Sequence, residues 1–167
     1  MPKSKIFFLS SVLYFLFSVL CPLSSVFSYA EPIAVIVNKT NPKDNVSLSE
    51  LKRIYEAKTR EWPNGFKIMP INRESTSDIR LAFSRLVHKK TPKQMKDYWY
   101  ERQYKGIRKP IVQTSVALIE QIVSQVDRAV GYVYLSEVDD RVKVLRIDGL
   151  APGDEGYKLR SERGGGR

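Results

Sequence analysis

The sequence predicts an α/β domain with a largely parallel or mixed sheet flanked by helices. Continuous apolar, β-branched runs are typical of buried strands, and the segments between them have the apolar period of amphipathic helices. Strands and helices alternate along the chain, and no internal repeat is present. Ligands of such folds bind at the carboxyl ends of strands, so the residues that follow each strand are the candidate functional residues.

The first 30 residues are predicted to be a cleaved signal peptide. Lys3 and Lys5 form a positive n-region, and Ile6–Leu20 is an apolar h-region. Ser28-Tyr29-Ala30 places small residues where a signal peptidase cleaves. The alternative is an uncleaved anchor, because Ile6–Phe27 is nearly long enough to span a bilayer. We therefore expect an exported, periplasmic protein.

The length, cysteine content and net charge of the mature chain follow from removal of the predicted signal peptide. Removing 30 of the 167 residues would leave 137, enough for one domain with its own core. It would also remove Cys21, the only cysteine, so no disulfide is expected; Leu20 stands where a lipobox requires a small residue, which argues against a lipoprotein. The net charge would fall from +10 to +8, because the segment holds two lysines and no acid. This excess favours anionic partners, and export makes nucleic acid the least favoured of them.

The first elements after the signal are a strand, a helix and a second strand. Ile33–Val37 is predicted to be buried on both faces. Ser47 and Glu50 form a capping box at the start of the helix. Phe66–Ile71 is the second strand, and it follows an Asn-Gly turn. The apolar face of the helix comprises Leu48, Leu51, Ile54 and Tyr55.

Two further helices are predicted from their caps. Thr91 and Gln94 form a second capping box, with Pro92 at the first helical position. Ser115 begins another helix, whose inward residues are Val116, Ile119, Ile122, Val123 and Val126. In the helix after Thr91, aromatic residues lie among several Lys and Arg residues. This pattern would allow base stacking, but it fits a helix packed on a core equally well, and we favour packing.

The last predicted strands are Gly131–Leu135 and Val142–Ile147, with residues 31–150 forming the domain. From Ala151 the chain is polar and Gly-rich, so residues 151–167 are predicted to be a flexible basic tail.

The candidate site is the turn between the strand that ends near Ile71 and the next helix. Ile79, Ala82, Phe83 and Leu86 have the spacing of that helix. A helix start offers free N–H groups and a favourable dipole to an anion, and Arg73 supplies a guanidinium. A capped helix with an exposed Arg and no ligand is the alternative, and the turn alone favours it, because capping explains Ser and Thr there without a ligand.

Several motifs resemble the phosphate-binding proteins of ABC transporters. Ile33–Pro42 resembles their "VVVNPxNP" strand, and Leu48–Lys58 resembles their helix "LTxxxLxxIFxGK". Ile71–Glu74 resembles "VxRE", and Ala129–Val133 resembles "AIGYV". The matches run in unbroken order and are similar to the type II periplasmic-binding-protein superfamily. The resemblance implies one lobe of that fold, with a mixed sheet flanked by helices.

The resemblance also implies a ligand set. The family's phosphate turn, "RxxxSGT", aligns its Arg and Ser with Arg73 and Ser77, whereas Asp78 and Ile79 replace its Gly and Thr. The predicted ligand-binding residues are Asn72, Arg73, Ser75, Thr76, Ser77 and Asp78. A carboxylate at Asp78 would repel an anion, and the family's N-terminal lobe has no counterpart before Ile33. The implied function is weak binding of phosphate or a related oxyanion.

Other functions remain as alternatives or are disfavoured. A non-binding adaptor on the same lobe could dock on a transporter membrane subunit or a periplasmic sensor, and a homodimer could supply the facing lobe. An enzyme, a metal site or a cofactor is not expected, because the mature chain has one His, no Cys and no GxSxG elbow. His88 is expected to be a partly exposed helical residue. The basic residues are spread over several helices, which argues against membrane-surface binding.

Overall fold

The computed structural model describes residues 30–161, and the predicted signal segment lies outside this range except for Ala30. A six-stranded mixed sheet forms the centre. Its strands follow the order β4-β3-β5-β1-β6, with β8 pairing with β1, while β2 and β7 form a separate pair. The strands are β1 (Glu31–Val37), β2 (Asn45–Val46), β3 (Met69–Arg73), β4 (Ile111–Gln113), β5 (Ala129–Tyr134), β6 (Lys143–Val144), β7 (Arg146–Ile147) and β8 (Arg160–Ser161).

Residues 30–161 form four α-helices. They are α1 (Leu48–Tyr55), α2 (Asp78–Phe83), α3 (Pro92–Tyr104) and α4 (Val116–Gln125). A π-helical turn, Ser84–His88, extends α2, and a 3-10 turn, Leu135–Glu137, follows β5. No helix within residues 30–161 is long and apolar enough to cross a bilayer.

The strand directions confirm the predicted mixed sheet. β3 runs parallel to both β4 and β5. β1 runs antiparallel to β5, with Ile33 opposite Tyr134 and Val37 opposite Val130, and antiparallel to β6. The carboxyl end of β3, with Arg73, therefore lies at one end of the sheet. The amino ends of β3, β4 and β5 lie at the opposite end.

Alternate residues of β1 build two core layers, as expected for a strand buried on both faces. Ile33, Val35 and Val37 belong to the layer that includes residues of α1 and α2. Ala34 and Ile36 belong to the layer that includes residues of α4. Gly131 on β5 allows α4 to pack closely, because a Cβ atom there would lie 2.7 Å from the Ile119 side chain.

The predicted caps are confirmed for two helices. The Ser47 hydroxyl accepts a hydrogen bond from the Glu50 N–H at 3.0 Å, at the start of α1. Thr91 and Gln94 make both bonds of the capping box at the start of α3. Ser115 precedes α4 at the predicted position, but its side chain makes no capping bond. On α3, Met95 and Trp99 are buried, which supports packing for this face of the helix.

Two predicted strands differ in the structure. The second strand begins at Met69 rather than Phe66, because the backbone before it bonds to the preceding loop: Trp62 N–H donates to the Phe66 carbonyl and Ile68 N–H to that of Arg60. The predicted last strand divides at Leu145 into β6, which pairs with β1, and β7, which pairs with β2.

The predicted boundary at residue 151 is wrong. Tyr157 and Leu159 are buried in the core layer that includes residues of α1 and α2. The Tyr157 hydroxyl donates to the Ile33 carbonyl at 2.8 Å, and the Ile33 N–H donates to the Leu159 carbonyl at 2.7 Å. Tyr157 and Leu159 are isolated apolar residues in a polar, Gly-rich segment, so the composition of the segment does not reveal that it packs in the core. The domain therefore continues to Ser161, and residues 162–167 lie outside the described range.

Candidate functional site

The turn after β3 is closed by its own backbone and by Ser77. Both the Ser77 N–H and the Ser77 hydroxyl donate to the Glu74 carbonyl, at 3.2 Å and 2.9 Å. The first helical bond of α2 then runs from the Leu81 N–H to the Ser77 carbonyl. The Ser77 hydroxyl therefore already donates its hydrogen bond within the turn. It could donate to an anion only if its bond to the Glu74 carbonyl broke.

Two arginines flank the turn, and each has a buried side-chain nitrogen that finds no partner within residues 30–161. Arg73 is the last residue of β3, and Arg80 lies in the first turn of α2. Arg73 Nε and Arg80 Nη1 are buried and make no hydrogen bond in the described part of the chain. Neither guanidinium makes an ion pair with a residue between 30 and 161. Buried donors of charged groups are normally satisfied, so these nitrogens require an explanation.

Tyr132 joins the end of β3 to the neighbouring strand. Its hydroxyl donates to Asn72 Oδ1 at 3.0 Å and accepts the Arg73 N–H at 3.3 Å. Its ring stacks on Phe83 of α2, with centroids 3.9 Å apart. Burial raises the pKa of Tyr132 to about 12, while the positive charges of Arg80 and Arg73 act in the opposite direction.

The six predicted ligand residues thus have different environments. Asn72 is buried and its side-chain oxygen is bonded to Tyr132, so it holds the end of β3 in place. Arg73 is half-buried, with the free nitrogen described above. Ser75, Thr76 and Asp78 are exposed. The turn brings all six together at the carboxyl end of β3, and their part in ligand binding stays a prediction.

A family model described as a PBP superfamily domain matches residues 29–161. The chain belongs to this superfamily. The match includes the segment 151–161 that packs in the core, which agrees with the corrected domain boundary.

Solved structures of this superfamily share the fold. An ABC-type phosphate transport receptor from Vibrio cholerae is 22% identical over 78% of this chain and 54% of its own, with a TM-score of 0.66. A protein described as a phosphate ABC transporter substrate-binding protein from Clostridium perfringens, with bound phosphate, is 26% identical over 78% and 53%, with a TM-score of 0.65. PstS from Borrelia burgdorferi is 18% identical over 79% and 55%, with a TM-score of 0.63. The chain spans about half the length of these structures.

Arg80 and Tyr132 lie at the candidate site but are not among the six residues predicted from the sequence. Arg80 lies between the apolar positions that predict α2, so the helical period alone does not single it out. Arg80 could have been identified as a candidate site residue from its position, seven residues after Arg73 and within the first turn of the predicted helix. Tyr132 lies in a strand 59 residues after Arg73, and only the parallel pairing of β3 with β5 brings them together.

The expectation of a partly exposed His88 is wrong. The side chain is 1% exposed, in the π-helical turn after α2, and its Nδ1 lies 3.5 Å from Oε1 of the fully buried Glu56. Lys58 and Lys90 neutralise Glu56, with Nζ–carboxylate distances of 2.7 Å and 3.2 Å. Among residues 30–161 no group of three or more His, Cys, Asp or Glu side chains could hold a metal ion.

Replacing Tyr132 with Phe is expected to lower the free energy of unfolding by about 1–3 kcal/mol, because Asn72 Oδ1 and the Arg73 N–H would both lose a partner. Urea denaturation measures the change. Tyr100→Phe is the control, since Tyr100 is 77% exposed and its change should stay within about 0.5 kcal/mol. Equal effects of the two substitutions would contradict the proposed role of the Tyr132 hydroxyl.

Proposed function

We propose that this chain is a periplasmic receptor domain that binds phosphate or a related oxyanion weakly at the turn after β3. The observation that carries the proposal is the pair of buried, unpartnered nitrogens of Arg73 and Arg80. An oxyanion that accepts hydrogen bonds from both guanidinium groups would satisfy them and neutralise their charge.

Weak binding follows from two features of the turn. The Ser77 hydroxyl already donates to the Glu74 carbonyl, so it offers no ready proton to a ligand. The exposed carboxylate of Asp78 lies in the first turn of α2, where it would repel an anion. We therefore expect a millimolar dissociation constant.

The relatives support the chemical class of the ligand. The Clostridium perfringens protein was solved with bound phosphate, and the Vibrio cholerae protein is described as a phosphate transport receptor. The segment of residues 1–30 supports export, and the membrane subunit of an ABC transporter is the proposed partner. No enzymatic step is proposed.

Thermal unfolding in phosphate tests the binding. At a phosphate concentration about tenfold above Kd, binding to the folded state contributes about 1.4 kcal/mol, so Tm should rise by several degrees. Arg73→Gln and Arg80→Gln should each remove most of this rise. Arg85→Gln is the matched control, because Arg85 is exposed on the π-helical turn of the same segment and should keep the response.

The unliganded variants give a second measurement. Removing a half-buried cation that has no ion-pair partner within residues 30–161 should leave stability without phosphate unchanged or higher, so loss of the response would not reflect misfolding. Chloride at matched ionic strength separates binding from screening. A phosphate response that survives in both Arg73→Gln and Arg80→Gln would overturn the proposal.

An adaptor that binds no anion is the second candidate, favoured by Asp78 and by the occupied Ser77 hydroxyl. Asp78→Asn discriminates the two functions, since removal of the carboxylate should strengthen phosphate binding at a working site. The absence of any phosphate or sulfate response in both the wild type and Asp78→Asn would support the adaptor.

A further inference from the structure

A concave surface lies at the end of the sheet opposite the Arg73 turn. It is a cleft of about 760 Å³ at the amino ends of β3, β4 and β5. The end of α1, the loop before β3 and the loop between α3 and β4 form its walls. None of the six predicted ligand residues lines this cleft, so it is separate from the candidate oxyanion site.

The charge of the cleft is strongly one-sided. Five of its lining residues are basic and one, Glu61, is acidic. The five basic residues are Arg60, Lys67, Arg108, Lys109 and Arg128, and all of them are exposed. None of the five makes an ion pair with another residue in the range 30–161. These side chains are therefore available to a ligand with several negative charges.

Apolar surface and a free strand edge accompany this charge. Side chains such as Ile68, Met69 and Ile107 line the cleft between the basic residues. The adjoining β4 is the edge strand of the sheet and, within the described residues, pairs only with β3. Its Ile111 and Val112 are 44% and 50% exposed. An open edge of this kind can pair with an extended peptide through backbone hydrogen bonds.

We propose that this cleft and the β4 edge bind an extended acidic segment of a partner polypeptide. Acidic side chains of the segment contact the five basic residues, and its apolar side chains contact the apolar lining of the cleft, such as Ile68, Met69 and Ile107. Its backbone pairs with β4. The proposal does not depend on oxyanion binding at the Arg73 turn.

Other occupants fit the cleft less well. The volume greatly exceeds that needed by a single phosphate or sulfate ion and lies in the range of sites for larger ligands. Single-stranded nucleic acid binds by stacking on aromatic side chains, and none of the lining residues is aromatic. An isologous dimer formed through this cleft would bring two copies of the same basic surface together, and the like charges would repel.

Fluorescence anisotropy with labelled peptides tests the proposal on the whole mature chain. The probe is a decapeptide of alternating Glu and Val, which presents acidic and apolar faces in an extended conformation. A decapeptide of alternating Lys and Val controls for charge, and a thymidine decanucleotide controls for nucleic acid. We expect saturable binding of the Glu peptide, weakened by added salt, and no comparable binding of either control.

Charge reversal locates the site. Arg108→Glu with Lys109→Glu should weaken binding of the Glu peptide by about tenfold or more. Lys93→Glu with Lys96→Glu changes the net charge equally at exposed positions of α3 outside the cleft, and should have little effect. Lys67→Gln is a milder change at an exposed residue that makes no ion pair within residues 30–161, and it should weaken binding several-fold even if the double variant folds poorly.

Several outcomes would overturn the proposal. Equal weakening by the two double variants would indicate nonspecific attraction. Preferred binding of the decanucleotide would assign the cleft to nucleic acid, and a dimer that dissociates in Arg108→Glu with Lys109→Glu would make it an interface between copies. The phosphate response at the Arg73 turn should be unchanged in these variants, so failure of either proposal can be recognised independently.

Discussion

Replacing Leu159 with Ala is expected to lower the free energy of unfolding by about 2–5 kcal/mol. The Leu159 side chain is fully buried with Tyr157 in a core layer. Its removal loses apolar burial and leaves a cavity that the surrounding strands fill only in part. Since domains of this size have about 5–15 kcal/mol of total stability, the change is a large fraction of the whole.

Urea denaturation of the mature chain measures this loss. Glu155→Ala is the control, because Glu155 lies in the same segment, is exposed and should change the stability by no more than about 0.5 kcal/mol. If residues 151–161 were a flexible tail, Leu159→Ala would be as harmless as Glu155→Ala. The pair of variants therefore tests the corrected domain boundary directly.

Stability is expected to decrease by about 3 kcal/mol as the pH falls from 6.5 to 4, because His88 is held neutral in the fold. Burial lowers the pKa of His88 to about 4; Glu56 opposes this shift, and the positive charges of Arg80 and Lys90 add to it. Below pH 6.5 the unfolded chain binds a proton that the folded chain does not. This contribution to stability is therefore complete above pH 6.5 and is lost progressively as the pH approaches 4.

The carboxylate of Glu56, beside His88, affects the stability of the fold at lower pH. Burial raises the pKa of Glu56, but hydrogen bonds and charge from Lys58 and Lys90 outweigh burial, so the pKa of Glu56 is lowered overall. A lowered carboxylate pKa stabilises the fold above the unfolded value, and that stability is lost only as the pH falls through the folded value. The loss of stability near pH 6 therefore reports the titration of His88, the only histidine in the chain.

His88→Leu checks the assignment, because Leu is similar in volume and does not titrate. Urea denaturation at steps of pH should show a shallower dependence for His88→Leu than for the wild type between pH 6.5 and 4. Stability near pH 7 should differ little, since the buried imidazole nitrogens have no hydrogen-bond partner within residues 30–161. Parallel curves for the two proteins would show that His88 is accessible and titrates normally.

The sequence predicted those parts of the fold that depend on neighbours along the chain. The capping residues Ser47 and Thr91 precede their helices as expected, because a cap bonds to the N–H three residues later. Ile33–Val37 was correctly identified as a strand buried on both faces, because a continuous apolar run has few other stable environments. Ordered motifs also identified the family that the comparisons show.

The six predicted ligand residues converge at the turn after β3, and their part in binding stays a prediction; Arg80 and Tyr132, which the sequence did not indicate, lie at the same turn. Arg73 and the turn follow directly from the strand-to-helix pattern. Tyr132 could not be found in this way, since its bond to the Arg73 backbone joins residues on different strands. The hydrogen bond from the Ser77 hydroxyl to the Glu74 carbonyl depends on the backbone conformation of the turn, which the order of residues does not specify.

The sequence by itself determined the α/β class, the helix starts, the buried first strand and the position of the arginine turn. Only the tertiary structure decided that Leu159 lies in the core, that His88 is buried beside Glu56, and that five basic residues from separate loops surround one cleft. The physical reason is the range of the interactions. Periodicity and capping act over a few residues, whereas burial and the convergence of charges depend on segments far apart in the chain.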